Sequence, residues 1–179
     1  PDDLVDNQKE EPDADNEPEY VMPPDHSKIQ YPSFTRDLIF PELRKELDSK
    51  DPEEVEQWQC DNDITVSIQG FNPITSFDVY SQKYSFIGDF LSENKISGPT
   101  PVQAQTIPIA LSGSNLIVVS PTGTGKTLCF LIPLICHVLT QNPNRNEFTG
   151  PIALIISPTE LLAHQTALVL HQLIKKTSI

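Results

Sequence analysis

Residues 120–127 read SPTGTGKT, between the apolar run LIVV at 116–119 and the apolar segment LCFLIPLICHVL. An apolar run that feeds a glycine-bearing turn, ends in Lys-Thr and opens a helix gathers several backbone N–H groups around one point. Such a concavity binds polyphosphate. Gly123 and Gly125 let the backbone curl with no Cβ in the way, Lys126 reaches β- and γ-phosphates, and Thr127 offers a hydroxyl to Mg²⁺. Ser120, Pro121, Thr122 and Thr124 complete the loop. The general pattern G-x-x-x-x-G-K-[ST] has glycine where this chain has Ser120. Lys126 and Thr127 are therefore the candidate catalytic residues, with Thr127 also the candidate metal ligand.

The flanking residues form the elements that hold this loop. A strand at 116–119, a helix at 126–140, a polar loop QNPNRNEFTG, a strand at 152–156 and a helix at 160–175 give the order β-loop-α-β-α. Two strand-length apolar runs separated by a helix imply a right-handed parallel crossover, the start of a doubly wound α/β sheet. Upstream, Phe86, Ile87, Phe90 and Leu91 make the one-sided stripe of a surface helix over 84–94. Pro99 and Pro101 hold GPTPVQ extended before a short helix over 102–111, with Gly113 as its C-cap. Asp51 as N-cap, Pro52 at N1 and Glu53 and Glu54 in the first turn predict a helix over 52–59. After it, ITVSIQG alternates like a strand.

Charge divides the 179 residues. Residues 1–63 hold 6 basic and 20 acidic side chains, a net of −14, whereas 64–179 hold 6 and 5, a net of +1. The acidity thus belongs to the leading part and does not weigh against an anionic ligand of the rest. Residues 1–27 carry too little apolar surface to offset the entropy of ordering and are expected to be disordered. From 28 to 74 aromatic and aliphatic residues return at irregular spacing, which suits an arm docked on a neighbouring domain, with Tyr31 and Trp58 as anchors. Residues 75–103 and 104–179 follow as a region ahead of the loop and the α/β domain itself.

Cys129 and Cys136 lie seven apart on one predicted helix, roughly 10 Å, beyond disulfide reach. With Cys60 they read as three free thiols, and no apolar run reaches the roughly 18 residues of a membrane span. A reducing, soluble, intracellular setting without a membrane partner is expected. His137, His164 and His171 have no carboxylate or cysteine at metal spacing and read as packing or surface residues. The opening Pro1 and the helical pattern running into LIKKTSI suggest a segment of a longer protein.

The string PTPVQ followed by IPIALSGSNLIVVSPTGTGKT resembles the amino-terminal half of a DEAD-box RNA helicase, over about 100 residues from 73 to 175. The resemblance implies a RecA-like P-loop domain, present in part, that binds ATP with Mg²⁺ and works on RNA. Phe77 with KISGPTPVQ corresponds to an adenine-reading Q motif, implying that Gln103 reads the base and Phe77 stacks on it. SPTELLAHQ at 157–165 is similar to an RNA-contacting motif, implying RNA contacts from Pro158, Thr159 and Gln165. Lys95 and Ile96 replace the family's usual glycine and aromatic, and Glu160 and Leu161 stand where it has arginine and glutamate. The change at 160 turns a cation near the RNA path into an anion, so a degenerate, non-catalytic ATP-binding or scaffold module is the alternative to a helicase.

No D-E-x-D string, S-A-T motif or second RecA-like domain occurs by residue 179, so helicase activity is expected of a longer product rather than of these residues alone. A guanine-specific N-K-x-D element after the loop is also absent. MPPDHSKIQYPSFTRDLIF and ITVSIQGFNPITSF resemble the arm of splicing-associated members, especially the one linked to the U2 particle. That likeness implies spliceosomal partners and a nuclear location.

Overall fold

The computed structural model describes residues 22–28, 34–67, 70–141, 151–175 and 177, in two compact units, Pro1–Ser33 and Phe34–Ile179. Of the expected disordered tail, residues 1–21 lie outside the described residues, as does Tyr31. The described part of the first unit holds one 3-10 turn, His26–Lys28. Asp25 precedes it and accepts bonds from the Ser27 hydroxyl at 2.6 Å and the Ser27 amide at 3.1 Å, with Lys28 Nζ at 3.0 Å. These donors, the Ser27 hydroxyl first, hold the Asp25 carboxyl below its ordinary pKa.

The second unit is built from α1 (Pro41–Asp48), α2 (Pro52–Asp61), α3 (Asp78–Lys83), α4 (Ser85–Glu93), α5 (Pro101–Leu111), α6 (Lys126–Thr140) and α7 (Glu160–Ile174). Helix α2 starts as the sequence predicts, with Asp51 accepting from Glu53 N at 2.8 Å. Helix α1 is an addition to the sequence reading. Its apolar positions Leu43 and Leu47 are four apart, so they share one face, and both are buried. The stripe expected at 84–94 is α4, and α3 is a further addition. Tyr84, at φ −128° and ψ 93°, ends α3 and begins α4, so the chain turns there instead of continuing one helix.

Helix α5 carries almost no exposed side chain: seven consecutive residues from Gln103 to Ile109 are buried. Pro108 lies inside it and has no N–H to donate to the Ala104 carbonyl one turn back. That carbonyl instead accepts Ile74 N at 3.0 Å. Ser112 is the C-cap of α5, and Gly113 stands one position beyond it at φ +76°. The sequence reading placed the cap itself at Gly113. A Cβ at Gly113 would lie 2.5 Å from the Arg36 carbonyl, so glycine is needed there for close approach as well as for its φ.

Residues before α3 share in the core of this unit. Leu38, Phe40, Leu43 and Leu47 belong to the same buried cluster as Ile107, Leu111, Leu131, Ile132 and Leu173. Leu38 N donates to Leu111 O at 2.7 Å, and the Gln141 amide brackets Thr35, accepting its N–H at 3.0 Å and donating to its carbonyl at 2.8 Å. Trp58 is half-buried.

The expected parallel sheet is not formed among the described residues. Segments 116–119 and 152–156 run without helix or strand assignment, and Ile117 and Val119 are 91% and 92% exposed. Leu154 and Ile156 are exposed as well. A strand is stable only when its N–H and C=O groups find a ladder partner, and no backbone bond joins these two segments. The stretch 64–66 shows the same pattern. Ile64 and Val66 are half-buried, Thr65 is exposed, and no strand forms; Ile68 lies outside the described residues.

Cys129 and Cys136 are buried in α6 and Cys60 is exposed on α2. Burial pushes the Cys129 thiol up to about 11 and that of Cys136 up to about 12. At pH 8 a thiol-specific reagent is therefore expected to modify Cys60 promptly, and Cys129 and Cys136 only after denaturation. Prompt reaction of all three thiols in the native chain would contradict this core.

Candidate nucleotide-binding site

The loop at 120–127 is positioned by the helix it opens and the helix behind it. Gly125 is the N-cap of α6, at φ 88° and ψ 22°, and no side chain caps that end. The first-turn N–H groups of α6 therefore face the loop without a side-chain acceptor, the arrangement that attracts anions. Gly123 adopts φ +80°, and nothing would lie within 4 Å of a Cβ there, so the loop opens on free space at that point. Within the loop the Ser120 hydroxyl donates to Thr124 Oγ1 at 2.7 Å, and Thr124 Oγ1 in turn donates to Pro121 O at 3.0 Å. Pro121, Thr122 and Gly123 are exposed; Thr127 is half-buried.

Lys126 turns back across this loop. Its Nζ donates to Ser120 O at 2.8 Å and also to Pro121 O. In this arrangement two backbone carbonyls satisfy the ammonium.

Helix α5 is coupled to the loop from behind. Thr100 and Gln103 form a reciprocal capping box, with Gln103 Oε1 accepting Thr100 N at 3.0 Å. Thr100 Oγ1 donates to Thr124 O at 2.8 Å and Gln103 Nε2 donates to Gly125 O at 2.9 Å. Gln103 is only 3% exposed. A Cβ on Gly125 would collide with Gln103 Nε2, so glycine at 125 serves the approach of Gln103 as well as its own left-handed φ. Sequence reasoning did not assign Thr100, although T-P-V-Q is a legible capping box.

The structure brings Gln103, Gly125, Thr124, Ser120 and Lys126 together. Phe77 is not on that surface. It is 4% exposed, within the core cluster, with its ring centroid 6.3 Å from that of Tyr80. Pro158, Thr159 and Gln165 are exposed at the start of α7 and in its second turn. Thr159 is the N-cap there, its hydroxyl accepting Leu162 N at 3.3 Å, and Glu160 is the first helical residue, exposed, where an anion suits the helix dipole. His164 and His171 are exposed and His137 is half-buried beside Phe34, with its pKa lowered by burial. Among the described residues no group of three His, Cys, Asp or Glu side chains is arranged to hold a metal.

A glycine-bearing loop that opens α6 and is held from behind by Thr100 and Gln103 is the candidate nucleotide site. Residues 100–179 match the family described as DEAD/DEAH box helicase, so the chain carries part of that domain. It is 39% identical over 148 residues to the probable ATP-dependent RNA helicase ddx42 of Dictyostelium discoideum, covering 82% of this chain and 15% of that protein. It is 38% identical over 152 residues to the pre-mRNA-processing ATP-dependent RNA helicase prp11 of Schizosaccharomyces pombe, covering 81% and 14%. The chain thus spans about one seventh of the length of these curated relatives. In fold it is similar to the yeast DEAD-box splicing factor Prp28, with a TM-score of 0.59 and 24% identity over 72% of this chain and 31% of that one. This likeness supports a RecA-like fold.

Proposed function

We propose that the chain forms the nucleotide-binding part of an ATP-dependent RNA helicase, in which ATP binding and hydrolysis are coupled to RNA duplex remodelling during nuclear pre-mRNA splicing. The observation that carries this reading is the seating of Gln103 against the P-loop. Its carboxamide spends one donor on Gly125 and one acceptor site on Thr100 N, which leaves one donor and one acceptor. That pair is what the N6 and N7 edge of adenine needs. Phe77 enters as the stacking partner of the base on the condition that its ring turns out of the core. Segments 116–119 and 152–156 then act as strands of a parallel sheet.

The uncapped α6 N-terminus, the open side of Gly123 and the Lys126 ammonium fit a triphosphate. Thr127 would offer its hydroxyl oxygen to Mg²⁺, which would supply charge neutralisation of the polyphosphate. Displacement of a fluorescent ATP analogue tests the adenine assignment. ATP is expected to displace it at lower concentration than GTP, and Gln103→Ala to erase the difference. Equal displacement by ATP and GTP from the wild-type chain would remove the basis for this reading.

The RNA part of the proposal rests on Pro158, Thr159 and Gln165 at the exposed start of α7, with spliceosomal proteins as further partners. No helix among the described residues is long and apolar enough to cross a membrane. The second reading, a degenerate scaffold, is favoured by the exposed anion Glu160 at that same place. Swapping an exposed repulsion for an attraction near a phosphate is worth on the order of 1 kcal/mol, so Glu160→Arg is expected to strengthen single-stranded RNA binding about fivefold at low salt. One more phosphate contact should also steepen the salt dependence by roughly 0.7 on a log–log plot. A salt-titrated binding assay that shows no gain, or a gain indifferent to salt, would place Glu160 off the RNA path.

A further inference from the structure

Three successive residues of α5 each fasten a different part of the unit. Gln103 Nε2 holds Gly125 O at 2.9 Å, the Ala104 carbonyl freed by Pro108 holds Ile74 N at 3.0 Å, and Gln105 is bonded at both ends of its amide. Gln105 Nε2 donates to Phe71 O at 2.7 Å, and Gln105 Oε1 accepts from Gln59 Nε2 at 2.8 Å. The orientation of this amide is fixed by chemistry, since the Phe71 carbonyl only accepts and so takes the NH₂ end. Gln105 is 4% exposed, as buried as Gln103. Residues two apart on a helix point to nearly opposite sides, so one amide faces the P-loop and the other faces α2 and the stretch 71–74.

We propose that Gln105 is a positioning residue for the nucleotide loop: by clamping α5 to Gln59 and Phe71 it fixes the seat from which Gln103 holds Gly125. The flanking segment thereby sets how firmly the P-loop is held. A buried amide that loses one partner leaves a polar group unsatisfied, which the helix relieves by shifting. A shift of α5 changes the length of the Gln103 to Gly125 bond because the buried helix moves as a unit. The proposal rests on the nucleotide-site reading only for its consequence; the clamp itself is present without nucleotide.

The test uses the full chain. Gln59 is only half-buried, so Gln59→Ala removes the donor to Gln105 with little risk to folding, whereas Gln105→Leu strikes the centre of the clamp. In the absence of nucleotide, amide hydrogen exchange at the end of the loop, at Leu128, whose N–H donates to the Gly125 carbonyl at 3.2 Å, is expected to speed up about fivefold in Gln59→Ala, the equivalent of one ordinary hydrogen bond. Gln59→Lys, which returns a donor to Gln105 Oε1, should bring exchange back toward the wild-type rate. In a Gln103→Ala background the Gln59 substitution should leave the loop unaffected, because the link it acts through is gone. Faster exchange confined to residues 55–74, with the P-loop unchanged, would overturn the proposal, as would equal effects of Gln59→Ala with and without Gln103. Failure of the wild-type chain to prefer ATP would count against the adenine reading alone, because the exchange measurement contains no nucleotide.

Discussion

Replacing Lys126 by alanine is expected to lower ATP affinity by roughly tenfold to a hundredfold, because a charge-assisted hydrogen bond contributes about 1.5–3 kcal/mol. In the structure the ammonium is held by the carbonyls of Ser120 and Pro121, so it already stands across the loop that would receive the phosphates. The measured loss is therefore a difference between two sets of acceptors, and it should be larger for ATP than for AMP, which lacks the β- and γ-phosphates. Displacement titrations with ATP, ADP and AMP on the wild-type chain and on Lys126→Ala decide it. Equal losses for ATP and AMP would mean that Lys126 supports the loop without meeting phosphate.

Gly125→Ala is expected to have the next largest effect, and Gly123→Ala serves as its control. Both glycines have φ between +80° and +88°, so each alanine suffers the left-handed strain of roughly 1–2 kcal/mol. Only at 125 does the new methyl also meet Gln103, whereas at 123 it meets nothing within 4 Å. Displacing Gln103 forfeits its bond to the Gly125 carbonyl, a further ~1 kcal/mol. Thermal unfolding should thus show Gly125→Ala as the more destabilised of the two. Removing the obstacle with Gln103→Ala should shrink the cost of Gly125→Ala toward that of Gly123→Ala. A cost that ignores residue 103 would show that Gln103 is not fastened to the loop as described.

The two glycines also mark where sequence and tertiary structure part company. The order of residues determined the helix over 126–140, the start of α2 at Asp51 and Pro52, and the identity of the loop, because these depend on neighbours within a turn or two: a cap, a fixed proline φ, a glycine. Those signals are local, and local signals are legible. The partner of Gly125 was not, since Gln103 lies 22 residues away and its amide choice is set by the packing of α5 behind the loop. Helix α1 escaped for a related reason: two buried leucines in an acidic segment give a weak pattern until a neighbouring core covers them.

Phe77 and the strand-like runs show the same boundary from the other side. Composition gave apolar runs of strand length at 116–119 and 152–156, but a strand exists only when another chain segment completes its hydrogen bonds, and that is a tertiary fact. The motif around Phe77 marked a ring for stacking, while only the packing of α3 shows that ring against Tyr80 in the core. Residue types and spacing by themselves marked a candidate triphosphate loop, and the motif strings around it carried the resemblance to a helicase family. Tertiary structure decided which side chains lean on that loop, because burial makes every unpaired amide and carbonyl costly and so dictates which distant groups must meet.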